Sequence, residues 1–176
     1  MRVNFAMSSR MALVAVMASL TASPALAQGL ITKKRLSAAL AMEAVMEAVD
    51  TCKKAGYAVT AIVVDNEGVR QAVIRGDGAT VHTLDSAYAK AYTAASLAPI
   101  RKDGSTKGLS ERIAKTPGVS TAVLASLPNI NFTPGGVTIM AGDEPIGGIG
   151  VGGAPGGNFD HDCAVAALDK IKDRMK

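Results

Sequence analysis

Apolar residues fall near helical spacing from residue 36 onward. Leu36, Leu40, Met46, Val49 and Cys52 recur along one stretch, and Lys53-Lys54 suit a C-terminal turn. Thr32 is a good N-cap and Gly56 a good C′ residue, so the pattern predicts a first helix between them. The period then changes. Residues 59–64 (VTAIVV) are β-branched, Asp65-Asn66-Glu67-Gly68 is a turn, and residues 69–75 (VRQAVIR) continue as a second strand of a hairpin. Gly76-Asp77-Gly78 breaks it. A second helix over about 83–97 carries Leu84, Ala87, Tyr88, Ala91, Tyr92 and Ala95 on its apolar side, and Pro99 stops it.

The stretch 100–130 is less regular, with short helical pieces at 110–115 and 118–126. Gly135-Gly136 opens a second hairpin, with strands at 137–141 and 146–151 around the turn Gly142-Asp143-Glu144-Pro145. Glycines in the returning strand (IGGIGV) weaken its propensity, so something must approach that backbone closely. After the loop 152–157, Asp160 is expected to cap a final helix carrying Cys163, Ala164, Ala167, Leu168 and Ile171. Two hairpins with flanking helices predict one antiparallel sheet covered by helices, an α+β or α/β-layered domain.

Residues 1–27 stand outside this pattern and read as a secretory signal. Arg2 and Arg10 form a positive n-region, residues 11–20 a ten-residue apolar core, and Ala25-Leu26-Ala27 a cleavage site before Gln28. The alternative is a buried N-terminal helix. The expected organisation is a signal over 1–27 and a single domain over 28–176, in a periplasm or outside the cell. Removing 27 of the 176 residues leaves 149; two Arg and no acids go with them, so the net charge falls from +4 to +2. No basic stripe with interleaved aromatics remains, which excludes nucleic acid as the expected partner. No apolar run reaches the roughly 20 residues of a stable membrane span. Aromatic residues make up only 3% of the chain, with no Trp, so small residues must bring the elements close together. Cys52 and Cys163 both fall in predicted helices. They either pair in an oxidising compartment or stay as buried thiols.

Candidate chemistry is sparse. The two histidines, His82 and His161, belong to no HxxH, HExxH or CxxC pattern, and no G-x-S-x-G elbow is present. The glycines of 147–157 lack the Lys-Ser/Thr that completes a phosphate loop. His82 lies between a Gly-rich break and a helix, where a neutral imidazole can ligate haem iron with its second nitrogen held by a neighbour; an ordinary surface or capping histidine is the other reading. Arg75 and Asp77 precede the same break. Arg75 suits a propionate or other carboxylate, or the two form an internal ion pair that fixes the turn. Tyr88 and Tyr92 share a helix face, as core or as ligand platform. His161, in Asp160-His161-Asp162, reads as a solvated helix start or a cation-attracting triplet.

Several of these segments, taken in order, resemble the GlcG/HbpS-like haem-binding family. They are Val64-Asp65-Asn66-Glu67-Gly68, Arg75-Gly76-Asp77-Gly78-Ala79, His82-Thr83, Ser86-Ala87 and Lys90-Ala91-Tyr92-Thr93-Ala94, matching the family's VDxxG, R-x-D-G-A and K-A-x-T-A runs. Gly135-Gly136, the run from Pro145 to Gly153, and Asp160 with its small-residue helix agree as well. Gly152 stands where many members have Ser, and Asp160-His161-Asp162 where many have Asp-Glu. The resemblance spans about residues 30–174. It implies an antiparallel sheet flanked by helices in a profilin-like, three-layer arrangement, and a homo-oligomer, often an octamer.

The resemblance also implies haem as cofactor and partner, in haem sensing, iron handling or haem breakdown. The site residues would be His82 on iron, Arg75 or Lys90 near a propionate, and Asp77 and Tyr92 beside them. A shallow site at an oligomer surface suits the low aromatic content. Two other readings stand beside it. One is an enzyme or accessory protein acting on a small carboxylate such as a hydroxy acid, with Arg75, Asp77 and the 147–153 backbone binding the acid and His82 as general base. The other is an oligomeric shell without a ligand.

Overall fold

The structure is a computed structural model that describes residues 29–175; the expected signal segment 1–27 lies outside the described residues. Residues from Lys33 onward form one compact unit, and residues 29–32 belong to a separate N-terminal one. In chain order the compact unit contains α1 (Ala38–Lys54), β1 (Thr60–Asp65), β2 (Arg70–Arg75), α2 (His82–Ser96) and α3 (Ala98–Arg101). It continues with α4 (Thr106–Ala114), α5 (Thr121–Ala125), β3 (Gly136–Ala141), β4 (Glu144–Gly152) and α6 (Gly157–Ile171), ending in a 3-10 turn, Lys172–Arg174.

The four strands form one antiparallel sheet in the order β2-β1-β4-β3. Central strand β1 is buried along its whole length, because helices cover both faces. That explains its continuous apolar run in place of an alternation. Ala61 and Val63 join Ile149, Val151 and Ile139 in a core against α1 and α6. Ile62 and Val64 point the other way, onto Ala87, Ala91 and Ala95 of α2. The result is the expected three-layer α+β architecture. No helix among the described residues is long and apolar enough to cross a membrane.

The close approach that the glycine strand requires is made by α2. A methyl group on Gly148 would collide with the Ala91 carbonyl and lie 2.9 Å from the Ala95 nitrogen; one on Gly150 would collide with the Ala87 carbonyl. Glycine on the strand and alanine on the helix therefore let the two backbones meet.

Helix boundaries differ from the sequence reading where short residues decide them. Thr32 is not the N-cap of α1. Ser37 is, its hydroxyl accepting from the Leu40 N–H at 3.3 Å. The buried face of α1 is Ala41, Ala44, Val45, Ala48, Val49 and Cys52, while Met46 stays 47% exposed. Gly56 does close the helix, at φ +86°. Pro99 lies in the first turn of the separate helix α3 rather than stopping α2, which ends at Ser96. Helix α4 begins at Thr106, earlier than the expected 110, because Ser105 caps it through the Gly108 N–H. Asp160 does not cap α6. Gly156 occupies that position, and Asp160 is buried in the first turn.

Cys52 and Cys163 are joined as a disulfide that ties α1 to α6 across 111 residues of chain. Both are enclosed in the larger core.

Gly150→Ala is expected to lower stability by about 1–3 kcal/mol, the usual cost of adding a methyl to a filled interface. Urea unfolding with the disulfide intact measures it, and an unchanged midpoint would mean that α2 does not rest on β4.

Candidate functional site

The loop from β2 into α2 is fixed from beneath by two buried threonines. The Thr60 and Thr83 hydroxyls are 2.7 Å apart, and Thr83 donates to the Thr80 carbonyl at 2.6 Å. At the loop's outer end, Thr80 Oγ1 lies 3.1 Å from His82 Nδ1. With Nδ1–H donating to Thr80, the Nε2 lone pair is left for a ligand, the arrangement by which a second contact orients a metal-binding imidazole. His82 is exposed, and Val81 beside it is 74% exposed. Arg75 is also exposed and donates through Nη1 to the Ala79 carbonyl at 3.1 Å, so its guanidinium stands over the same loop.

Asp77 projects fully into solvent. Its cationic neighbour is Lys53 at 4.0 Å rather than Arg75, so the internal Arg75–Asp77 pair, one of the two alternatives, does not form. The Arg75 guanidinium is engaged by the Ala79 carbonyl instead. The sheet thus brings Arg75, Asp77 and His82 to one end.

Tyr92 belongs to the other end. Ten residues of helix place it about 15 Å along α2 from His82. There the Tyr92 ring packs against Gly68, where an added methyl would lie 2.6 Å away. Tyr88 donates to the Gly68 carbonyl at 3.2 Å, and Arg70 lies 3.6 Å over the Tyr88 ring. This aromatic pair packs over the β1–β2 turn.

Lys90 is enclosed. Its ammonium lies 2.7 Å from Asp160 and donates to the Val151 carbonyl at 3.0 Å, with both side chains under 5% exposed. The second Asp160 oxygen accepts from the Ala154 N–H at 3.0 Å. The pair locks α2, β4 and α6 together and removes Lys90 from the surface where a propionate would lie. The 160–162 triplet is therefore not a solvated helix start: Asp160 is buried and His161 half-buried. Burial holds the His161 imidazole below the ordinary histidine range, with Lys107 adding to the effect. Among the described residues, no group of three His, Cys, Asp or Glu side chains is placed to hold a metal ion.

Concavities lie at two places in the compact unit. One, of about 200 Å³, lies at the His82 end and includes Tyr57, Ala58, Gly76 and Asp77. It falls below the usual volume of small-molecule pockets, so a flat macrocycle at His82 would need a second surface to cover it. The other, of about 800 Å³, lies where the two termini of the compact unit meet, between Lys34-Arg35-Leu36 and Lys172–Met175. It escaped the sequence reading. The basic runs near residues 33–35 and 170–174 are visible as charge clusters, but only the antiparallel pairing of α1 with α6 brings them together.

Asp160→Ala leaves Lys90 buried without its partner and is expected to cost about 3–5 kcal/mol. Lys90→Met combined with Asp160→Leu should recover most of that loss in the same unfolding measurement. A single variant as stable as the parent would mean that the pair does not hold the layers together.

Comparison with known proteins agrees with this architecture. A family model described as haem degrading protein HbpS-like matches residues 36–169. The crystal structure of HbpS is 32% identical, with a TM-score of 0.71 over 81% of this chain and 94% of its own. A double mutant of Streptomyces reticuli HbpS is 34% identical, with a TM-score of 0.71 over 85% of this chain and 97% of its own. The PduOC:haem complex shares the fold at 23% identity and a TM-score of 0.65, over 77% of this chain and 94% of its own. No curated protein matches the chain. The family match runs from the residue before the α1 cap to the last turns of α6, through every strand of the sheet. The chain belongs to the HbpS-like family of haem-degrading proteins.

Proposed function

We propose that this is a periplasmic or secreted haem-binding protein that works in haem and iron handling or sensing. The observation that carries the reading is the exposed His82 imidazole, held at Nδ1 by Thr80 on a loop braced by buried hydroxyls. Bound haem supplies iron for ligand exchange and electron transfer. His82 would hold the iron through Nε2, in the tautomer whose Nδ1–H donates to Thr80. Arg75 would pair a propionate, and the exposed Val81 would offer haem an apolar contact beside His82. Asp77, fully exposed with Lys53 at 4.0 Å, would disfavour a propionate on its own side of the loop. The shallow surface makes a second copy of the chain the natural cover, which fits a homo-oligomer. Family membership and the haem-bound PduOC relative support the cofactor.

The signal-like segment 1–27 supports export, and the Cys52–Cys163 disulfide fits an oxidising compartment. Expressed with its leader in a bacterial host, the protein should be recovered outside the cytoplasm beginning at Gln28. Its cysteines should resist alkylation until reduced. Intact Met1 in the cytoplasm with two reactive thiols would sink this part of the reading.

The small hollow lined by Lys53, Gly76 and Asp77, next to Arg75 along the chain, favours one second reading, a site for a small hydroxy acid. An absorbance titration of residues 28–176 with hemin separates the two. The expected result is a saturable Soret shift, lost in His82→Ala and weakened about 10-fold or more in Thr80→Val. No shift at stoichiometric hemin, with thermal stabilisation by hydroxy acids instead, would replace haem with the small carboxylate.

A further inference from the structure

The large groove at the termini lies away from the loop that carries His82, and the haem reading makes no use of it. Its floor is apolar: Leu36 and Ile146 are buried, and Leu40 and Ala141 are partly so. A register shift between Ile139 and Met140 breaks the β3–β4 ladder there. Bulges of this kind redirect a side chain, and Met140 borders the groove at 39% exposure. Met175 lines it from the C-terminal side. Unbranched thioethers adapt to irregular apolar guests. The volume of about 800 Å³ is that of a small-molecule site.

The rim is cationic. Lys34, Arg35, Lys172 and Arg174 line the groove, and no acidic residue does. Each cation has an acidic partner outside the lining: Glu144 for Lys34 at 3.2 Å, Asp65 for Arg35 at 3.2 Å, Asp169 for Lys172 at 3.0 Å and Glu43 for Arg174 at 2.5 Å. In the Lys34–Glu144 and Lys172–Asp169 pairs both partners are exposed, where such pairs are weak, so an incoming anion can share or replace those partners. An apolar floor inside a cationic rim complements one kind of guest.

We infer that this groove binds a small amphipathic anion of the fatty-acid class, its apolar body on Leu36, Leu40, Met140 and Met175 and its carboxylate at the Lys34 and Lys172 rim. The site is separate from the proposed haem site and does not depend on His82.

The test is a fluorescence titration of residues 28–176, disulfide intact, with cis-parinarate, a fluorescent polyunsaturated fatty acid. Saturable binding of one probe per chain is expected, and it should persist in His82→Ala. Met140→Glu places an acid in the groove at a partly exposed edge-strand position and should weaken binding about tenfold. Lys34→Glu with Lys172→Glu should do the same through the rim, an effect of the size of two exposed charge pairs. Met140→Leu should bind like the parent, and an unchanged melting temperature checks that each variant is folded. Absence of saturable binding, or equal binding by Met140→Glu, would overturn the assignment. Displacement of the probe by one equivalent of hemin would also overturn it, because the groove would then be the haem seat. Failure of hemin to bind anywhere would overturn only the haem reading.

Discussion

Helix α2 lies so close to strand β4 that the strand must lack side chains beneath it. Gly148 and Gly150 supply that space, and Ala87, Ala91 and Ala95 supply the matching surface on the helix. Backbone-to-backbone contact fixes the height and the rotation of α2 together, since a larger residue on either side would lift it. Everything attached to α2 inherits that position: Lys90 meets Asp160 beneath the helix, Thr83 meets Thr60, and His82 is delivered at the helix start over the Gly-rich loop. The polar contacts then finish what the small residues begin. A buried ion pair is weak evidence for stability in itself. Here it also selects one arrangement of three elements, because both Asp160 oxygens and the Lys90 ammonium have partners from different segments.

The order of elements was legible in the sequence because the hydrophobic period changes sharply, from helical spacing through Cys52 to the β-branched run at 59–64. The glycine strand was legible as a place of close approach, although its partner was not. Helix ends were less legible. Serines 37 and 105 are capping residues among many, and only the folded path shows which of them precedes a first turn. The alanine face of α1 was masked by larger neighbours such as Met46, since residue size is a poor guide to burial in a core built from small side chains.

The candidate site was legible in part. Arg75, Asp77 and His82 are close in sequence, so their shared end of the sheet follows from one loop. Lys90 and Tyr92 are close to them only along the chain. Helix α2 carries Lys90 into its buried pair with Asp160 and Tyr92 to the β1–β2 turn, which spacing alone does not reveal. Asp160, the partner of Lys90, lies 70 residues away. The groove was hidden for the same reason, because its walls come from opposite ends of the chain.

The Cys52–Cys163 bond encloses both hairpins, α2 and the irregular segment after it within a single covalent ring. That segment includes exposed basic residues such as Lys102 and Lys115, natural points of attack for a protease. One cut there opens the ring without dividing the molecule, because the sulfur bridge still joins the two pieces. The layers on either side would remain at high effective concentration with respect to each other. In a space rich in proteases, such a chain can be nicked and still keep its architecture.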